Sequence, residues 1–311
     1  MISETDESLL SSVFVSWHRK GIEEHEIYSI AKLMRQRMKR VNSKHDIFVD
    51  IVGTGGSNAK TFNVSTAAAF VVAGEGVAVA KHGNQAATSN SGSADVLSEL
   101  GVYQAVDPAV AGRSLNEIGL CFMFAPNHHR LSPTLAQVRR RLGFPTIFNC
   151  VGPICNPASA PNQLIGVWHK DLVPKMANAL ARLGTTRSWV VHGGDGLDEI
   201  TLSGPTQVAV VDGTVVSEFE VSPSDFGFDA QTMAGIHAHD AVESASMIEK
   251  ILSGFAKDEP GENIVLANAA SAMYLSGRVA DLKNAAKAAT ESIRSGKALA
   301  KLKALRETTS Q

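Results

Sequence analysis

Strands alternating with helices along this chain predict an α/β protein: a mostly parallel central sheet flanked by helices, with a small helical domain and a cleft between them. Three observations carry the prediction. Short apolar runs such as IFVDIV and VAVAKHG end near glycine and give way to helical periodicity. Residues 8–38 are helical in pattern before any strand begins, and roughly the last 70 residues are alanine-rich and helical again. Residues 1–46 therefore read as the small domain, completed by a returning helical segment near 127–145, and 47–311 as the large α/β domain.

The elements follow in order. Apolar spacing over 8–38 breaks at Gly21, which predicts two short helices. Residues 47–52 form a buried strand that runs into GTGG, and STAAAFVVAGEG is a helix capped by Asn63 or Ser65. VAVAKHG (77–83) is the next buried strand, followed by a polar loop and the helix ADVLSELG. A helix over 108–118, the strand GLCFMFA, a loop carrying His128, His129 and Arg130, and a helix over 135–142 come next. NQLIGVW (162–168) and RSWVVHG (187–193) are strands separated by a helix. QVAVVDGTVVSEFEV has Asp-Gly between two alternating runs, a strong hairpin signal.

Composition narrows the function. The chain has 311 residues, 44% hydrophobic and 19% charged, enough to bury a sizeable core. With 29 Lys and Arg against 31 Asp and Glu, the net charge of −2 offers no basic stripe for a nucleic acid. MISETDESLL lacks the basic and apolar regions of a signal peptide, and no apolar run approaches a membrane span. Cys121, Cys150 and Cys155 show no CxxC spacing and read as buried thiols of a reducing compartment, so a cytoplasmic location is expected.

Four motifs carry chemistry. In DIVGTGGSNAKTFNVST, Gly53, Gly55 and Gly56 let backbone N–H groups approach an anion, and a helix N-terminus follows. A Walker loop is excluded because Ala59 precedes Lys60-Thr61 and Thr54 stands at the first glycine position; Asn58 likewise breaks a dinucleotide fingerprint. GTGG alone fits either a phosphate cradle or a tight strand–helix turn. Lys81-His82-Gly83-Asn84, ahead of the hydroxyl-rich TSNS, tips the balance toward a second polyanion cradle beside the first. Asp198-Glu199 could hold Mg²⁺, against the ordinary reading of a solvated acidic turn. Arg139, Arg140 and Arg141 lie on a helix whose other face carries Leu135, Val138 and Leu142; one arginine turned inward would pair with a carboxylate. His192 has no clustered partner and reads as structural.

GTGG with NVST, KHGN with SGSADVLSELG, VRRRLG with TIFNCVGPICNP, and DGLDEIT resemble the anthranilate phosphoribosyltransferase family, whose fold is shared with pyrimidine nucleoside phosphorylases. The resemblance runs from about residue 8 to SGKALAKL, nearly the whole chain. It implies transfer of the ribose of 5-phosphoribosyl pyrophosphate (PRPP) to the amine of anthranilate, with Mg²⁺ and release of pyrophosphate, a step of tryptophan biosynthesis. By position it implies a PRPP site of Gly53, Thr54, Gly55, Gly56, Ser57, Thr61, Asn63, Ser65, Thr66, Lys81 and Ser89. It implies an aromatic-acid site of His82, Asn84, His129, Arg139 and Pro153, and a metal site of Asp198, Glu199 and Ser65. No general base or nucleophile is assigned, because an aromatic amine is already neutral at pH 7.

Departures from the family pattern are local. Ser57 stands where an aspartate is usual, Gln85 replaces an arginine, and His128-His129-Arg130-Leu131-Ser132 replaces Tyr-His-Pro-Ala-Met. The helices start late, as though a first helical pair were missing; that pair usually contributes to the homodimer, so the oligomeric state stays open. The polar substitutions leave another aromatic acid, such as a hydroxybenzoate, as an alternative acceptor. A nucleoside phosphorylase activity and a non-catalytic nucleic-acid binder of the same fold are the other readings.

Overall fold

The computed structural model describes residues 3–55, 61–86 and 91–310. Two helices lead, α1 (Glu7–Lys20) and α2 (Glu24–Arg37). Next come β1 (Phe48–Gly53), α3 (Val64–Gly74), β2 (Ala78–Gly83), α4 (Ser93–Glu99), α5 (Pro108–Ile118) and β3 (Leu120–Phe124). The middle of the chain forms α6 (Ala125–His129), α7 (Pro133–Leu142), α8 (Ile147–Val151), β4 (Asn162–Gly166), α9 (Leu172–Arg182) and β5 (Arg187–Gly193). A hairpin, β6 (Thr206–Asp212) and β7 (Val215–Val221), precedes α10 (Ala241–Leu252), α11 (Pro260–Leu275), α12 (Leu282–Arg294) and α13 (Lys297–Thr309).

The strands make one sheet in the order β3-β2-β1-β4-β5-β6-β7. β3 to β5 are parallel, and the β6–β7 hairpin extends the sheet antiparallel. The hairpin turns where Asp-Gly predicted, with Gly213 at φ 59° and Asp212 paired to Val215. Strand order reverses between β1 and β4, so a crevice opens outside their carboxyl ends. Thr54, directly after β1, donates its backbone N–H to the carbonyl of Gly166 at the end of β4, 2.9 Å away.

Side-chain alternation divides the core. Val49, Ile51, Val79 and Phe122 face α3 and α10 to α13. Val52, Ile165 and Val190 face α1, α2 and α7 to α9, while Phe48, Ala80 and Met123 join α5 in a third cluster. α3 is apolar all round because it is buried all round, between the sheet and α11, α12 and α13. A Cβ on its Gly74 would lie 2.2 Å from Ser292 Oγ and 2.9 Å from the Ala298 nitrogen, so only glycine permits that approach.

Most expected elements are present with small shifts in their ends. Gly21, at φ 87°, separates α1 from α2, and Asp6 caps α1 by accepting from the N–H groups of Ser8 and Leu9. Two short helices go beyond the expected elements, one in the predicted loop after β3 and one in a segment for which the sequence predicts no element. The first, α6, carries His128 and His129, both buried; the second, α8, sits in TIFNCVGP. Pro126 at the start of α6 is suited to a first turn, but five residues are too few for periodicity to register. No helix among the described residues is long and apolar enough to cross a membrane.

Candidate active site

The site grows from β2. Lys81 and His82 are consecutive in a strand, so their side chains leave on opposite faces of the sheet. Lys81 turns toward α3: its Nζ donates to the Ile51 carbonyl at 2.5 Å and to Ser65 Oγ at 3.1 Å. His82 turns the other way, with Nδ1–H donating to Asp50 Oδ2 at 2.6 Å and Nε2 lying 2.8 Å from the Gly152 carbonyl oxygen. One dipeptide thereby places a cation on one face of the sheet and an imidazole on the other.

On the Lys81 side, the glycine loop meets the acidic turn. Gly55 N–H donates to Asp198 Oδ2 at 3.2 Å. A Cβ on Gly53 would lie 2.8 Å from that same oxygen, and one on Gly166 would lie 1.6 Å from the Asp198 carbonyl oxygen. Glycine at both positions is therefore what lets DGLDEIT dock onto β1 and β4. Burial pushes Glu199 up to about 8, with neighbouring Asp198 adding to the rise while Lys81 and the Ser65 N–H oppose it. Burial also holds the Lys81 ammonium below its ordinary value, against the pull of Asp50 and Glu199.

This donor set fits Mg²⁺. Asp198, Glu199 and the Ser65 hydroxyl offer hard oxygens, and burial together with neighbouring Asp198 disfavours the Glu199 carboxylate charge, which a bound divalent cation would stabilise. Among the described residues no three His, Cys, Asp or Glu side chains converge as a self-sufficient metal site. A cation held here must complete its shell with ligand oxygens.

On the His82 side lie polar atoms without partners among the described residues. Both ring nitrogens of His129 are orphaned, and its ring stands edge-on to His82 with centroids 6.2 Å apart. Burial pushes the His129 imidazole down to about 3, so the ring is neutral at physiological pH. Of the three arginines on α7, Arg139 turns inward while Arg140 and Arg141 are exposed. Its guanidinium lies 5.4 Å from the Phe148 ring centroid and donates to Asn149 Oδ1 at 3.3 Å; buried Nε has no partner. Burial pushes Arg139 down to about 10, which still leaves it cationic. Asn149 in turn donates to the Thr54 carbonyl at 3.4 Å, tying this wall to the glycine loop.

The remaining sequence-derived positions divide. Thr54 Oγ1 accepts from the Trp168 N–H at 3.2 Å. Asn63 starts α3 but does not cap it; its Oδ1 accepts from the hydroxyls of Ser91 and Ser244, at 2.8 and 2.9 Å, and so ties the KHGN loop to α10. Thr66 Oγ1 is buried and unpartnered. Thr61 pairs in an isolated antiparallel bridge with His237. Pro153 is buried beside Gly152, its carbonyl accepting from Gln163 Nε2 at 3.2 Å. Asn84 is exposed, its Oδ1 accepting from the Gln85 N–H. Gly56, Ser57 and Ser89 lie outside the described residues. His192 Nδ1, read as structural, lies 2.8 Å from the Val167 carbonyl.

Sequence reasoning missed the polar group behind His82. Asp50 is fully buried in β1, and its Oδ2 also accepts from Asn156 Nδ2 at 2.8 Å and Gln163 Nε2 at 3.5 Å. The signal was one carboxylate inside the apolar run FVDIVG, where an unpaired charge would be costly.

Residues 45–299 match the family described as glycosyl transferase family, a/b domain. Among similar proteins are the anthranilate phosphoribosyltransferases of Moorella thermoacetica and Laribacter hongkongensis. The first is 41% identical over 98% of this chain and 89% of its own length. The second is 46% identical over 91% and 83%. Anthranilate phosphoribosyltransferase from Thermus thermophilus superposes with a TM-score of 0.91 at 34% identity, covering 99% of this chain and 92% of that one. The Saccharomyces cerevisiae enzyme, in complex with PRPP and Mg, gives 0.88 at 30% identity, covering 98% and 85%.

Proposed function

The chain belongs to the anthranilate phosphoribosyltransferases, and we propose that it joins C1 of the ribose of PRPP to the amine of anthranilate, releasing pyrophosphate. The observation that carries the proposal is the division at Lys81-His82. An anion- and metal-suited wall lies on one side, and buried unpartnered donors and acceptors lie on the other.

Departure of pyrophosphate leaves an oxocarbenium-like centre at C1, so catalysis needs charge neutralisation on the leaving group and placement of the amine. The backbone of Gly53 to Gly56, with Ser57, Thr61, Asn63, Thr66 and Ser89, would cradle the phosphates beside Lys81. Asp198, Glu199 and Ser65 would hold Mg²⁺, which would add to that neutralisation when bound. Arg139 would bind the acceptor carboxylate through its free Nε edge. Neutral His129 would meet the aromatic amine, while His82, Asn84 and Pro153 complete the acceptor wall. No strong base is required, because the attacking aromatic amine is uncharged.

The small helical domain, residues 1–46 with 127–145, would form the wall that bears His129 and Arg139; the packing of α1 on α7 supports it. Three buried free cysteines support a cytoplasmic enzyme. Anthranilate is preferred over another aromatic acid because the atypical polar residues engage backbone or solvent. Ser132 caps α7 and donates to the Glu4 carbonyl, His128 Nδ1 meets the Lys39 carbonyl, and Arg130 is exposed. Loss of anthranilate fluorescence in the presence of PRPP and Mg²⁺ tests the proposal. Turnover of a hydroxybenzoate without turnover of anthranilate would overturn it.

A further inference from the structure

A cavity of about 420 Å³ opens at the amino ends of β4 and β5, whereas the catalytic crevice lies outside the carboxyl ends of β1 and β4. Four cationic side chains line it, Lys32, Arg35, Arg40 and Arg182, and no acidic one does. Arg182 is matched by Glu24 at 2.7 Å and stacks 3.9 Å from the Tyr28 ring centroid. Arg35 is held in place, its Nε donating to the Ile154 carbonyl at 2.8 Å and Nη1 to that of Leu183 at 3.2 Å. Lys32 and Arg40 have no salt bridge among the described residues. Of the four cations only Arg182 has an acidic partner among the described residues, so positive charge is gathered at a concave surface with a single counter-charge.

A second observation lies in the wall of the same cavity. Gln163 is fully buried there; Nε2 donates to Pro153 and Asp50, and Oε1 has no partner among the described residues. Turning the amide over would set its oxygen against the Asp50 carboxylate, so the orientation is dictated by the network. An orphaned buried acceptor is costly until a donor reaches it.

We propose that this cavity is a binding site for a small anion, a phosphate or carboxylate that also carries an O–H or N–H donor. The cations take the negative group and Gln163 Oε1 takes the donor. Gln163 and Asn156 both line the cavity and both donate to Asp50 Oδ2, the acceptor for His82 Nδ1–H. Occupancy therefore reaches the acceptor side of the active site and alters the KM for the aromatic acid more than that for PRPP. This effect rests on the function proposed above; binding itself does not.

Calorimetric titration of inorganic phosphate into the full chain, already saturated with PRPP and Mg²⁺, tests the site while the catalytic phosphate cradle is filled. Lactate, a carboxylate with an O–H donor, is titrated in parallel and decides which anionic group the cavity takes. The expected result is saturable binding of at least one probe, weakened by roughly tenfold or more in Lys32→Ala/Arg40→Ala, with turnover in the absence of probe unchanged. Binding of neither probe, or equal binding by wild type and the double variant, overturns the proposal. Should PRPP itself fail to bind, the functional reading fails, and the same titrations on the protein alone still decide the cavity.

Discussion

Asp50 Oδ2 accepts the Nδ1–H of His82 at 2.6 Å from a carboxylate with no exposed surface. Asn156 and Gln163 share that oxygen, and the His82 backbone N–H lies 3.3 Å from Oδ1. Removing one partner of a buried charged network leaves the others unsatisfied, at about 3–5 kcal/mol. Asp50→Ala is expected to lose stability on that scale in urea unfolding and to raise the acceptor KM through a misplaced His82. An unchanged unfolding midpoint would show that the network contributes nothing.

Asp198→Asn combined with Glu199→Gln is expected to abolish Mg²⁺-dependent turnover with the fold retained, since each change keeps the side chain's size and an acceptor for the Gly55 and Ser65 N–H groups. Steady-state rates across a Mg²⁺ series check this. Wild-type rates in the double variant would refute the metal assignment.

Arg139→Ala should raise the acceptor KM by roughly tenfold or more, the scale of a lost hydrogen bond to a charged group, with little change in the KM for PRPP. Arg139→Lys should recover only part of the loss, because an ammonium has no planar fork. A pair of unchanged acceptor parameters would place the residue outside the site.

Gly166→Ala tests the docking of the acidic turn. Its Cβ would lie 1.6 Å from the Asp198 carbonyl oxygen, so backbone must move. Metal-dependent activity should fall together with stability, by about 1–3 kcal/mol or more. Wild-type Mg²⁺ dependence in this variant would mean the turn is not held by β4.

His129 gives the protein a pH signature. Its folded value is pushed down to about 3 from an ordinary 6.5, so below pH ~6.5 the unfolded chain binds a proton that the folded one does not. Stability contributed by the neutral ring is complete above that pH and is lost as pH falls toward ~3. At pH ~5 the loss is about 2 kcal/mol. His129→Phe should flatten this part of the stability profile, measured by urea unfolding at several pH values. An equal slope in wild type and variant would locate the titration elsewhere.

The order of strands and helices was legible because the parallel strands are short, mostly apolar runs, four of which, β1, β2, β4 and β5, end at glycine. Alternation also implies that Lys81 and His82 face opposite ways, although its consequence emerges only once their partners are known. Short elements such as α6 and α8 escaped because one helical turn has no period to detect. Three arginines in a row on α7 could not be told apart by composition; the packing of Leu135 and Val138 turns Arg139 inward.

By itself, the sequence determined the α/β fold, the glycine approaches at Gly53 and Gly55, the paired carboxylates and the family. Local chemistry suffices for these, since backbone freedom, apolar period and adjacent charges are properties of neighbouring residues. Only the tertiary structure decided that Asp50 holds His82, that Asn63 ties Ser91 to Ser244, and that Gln163 and Asn156 join a cationic cavity to the Asp50 carboxylate. Those bonds join residues far apart in the chain, and a buried polar group takes whichever partner the packing of the sheet brings within reach.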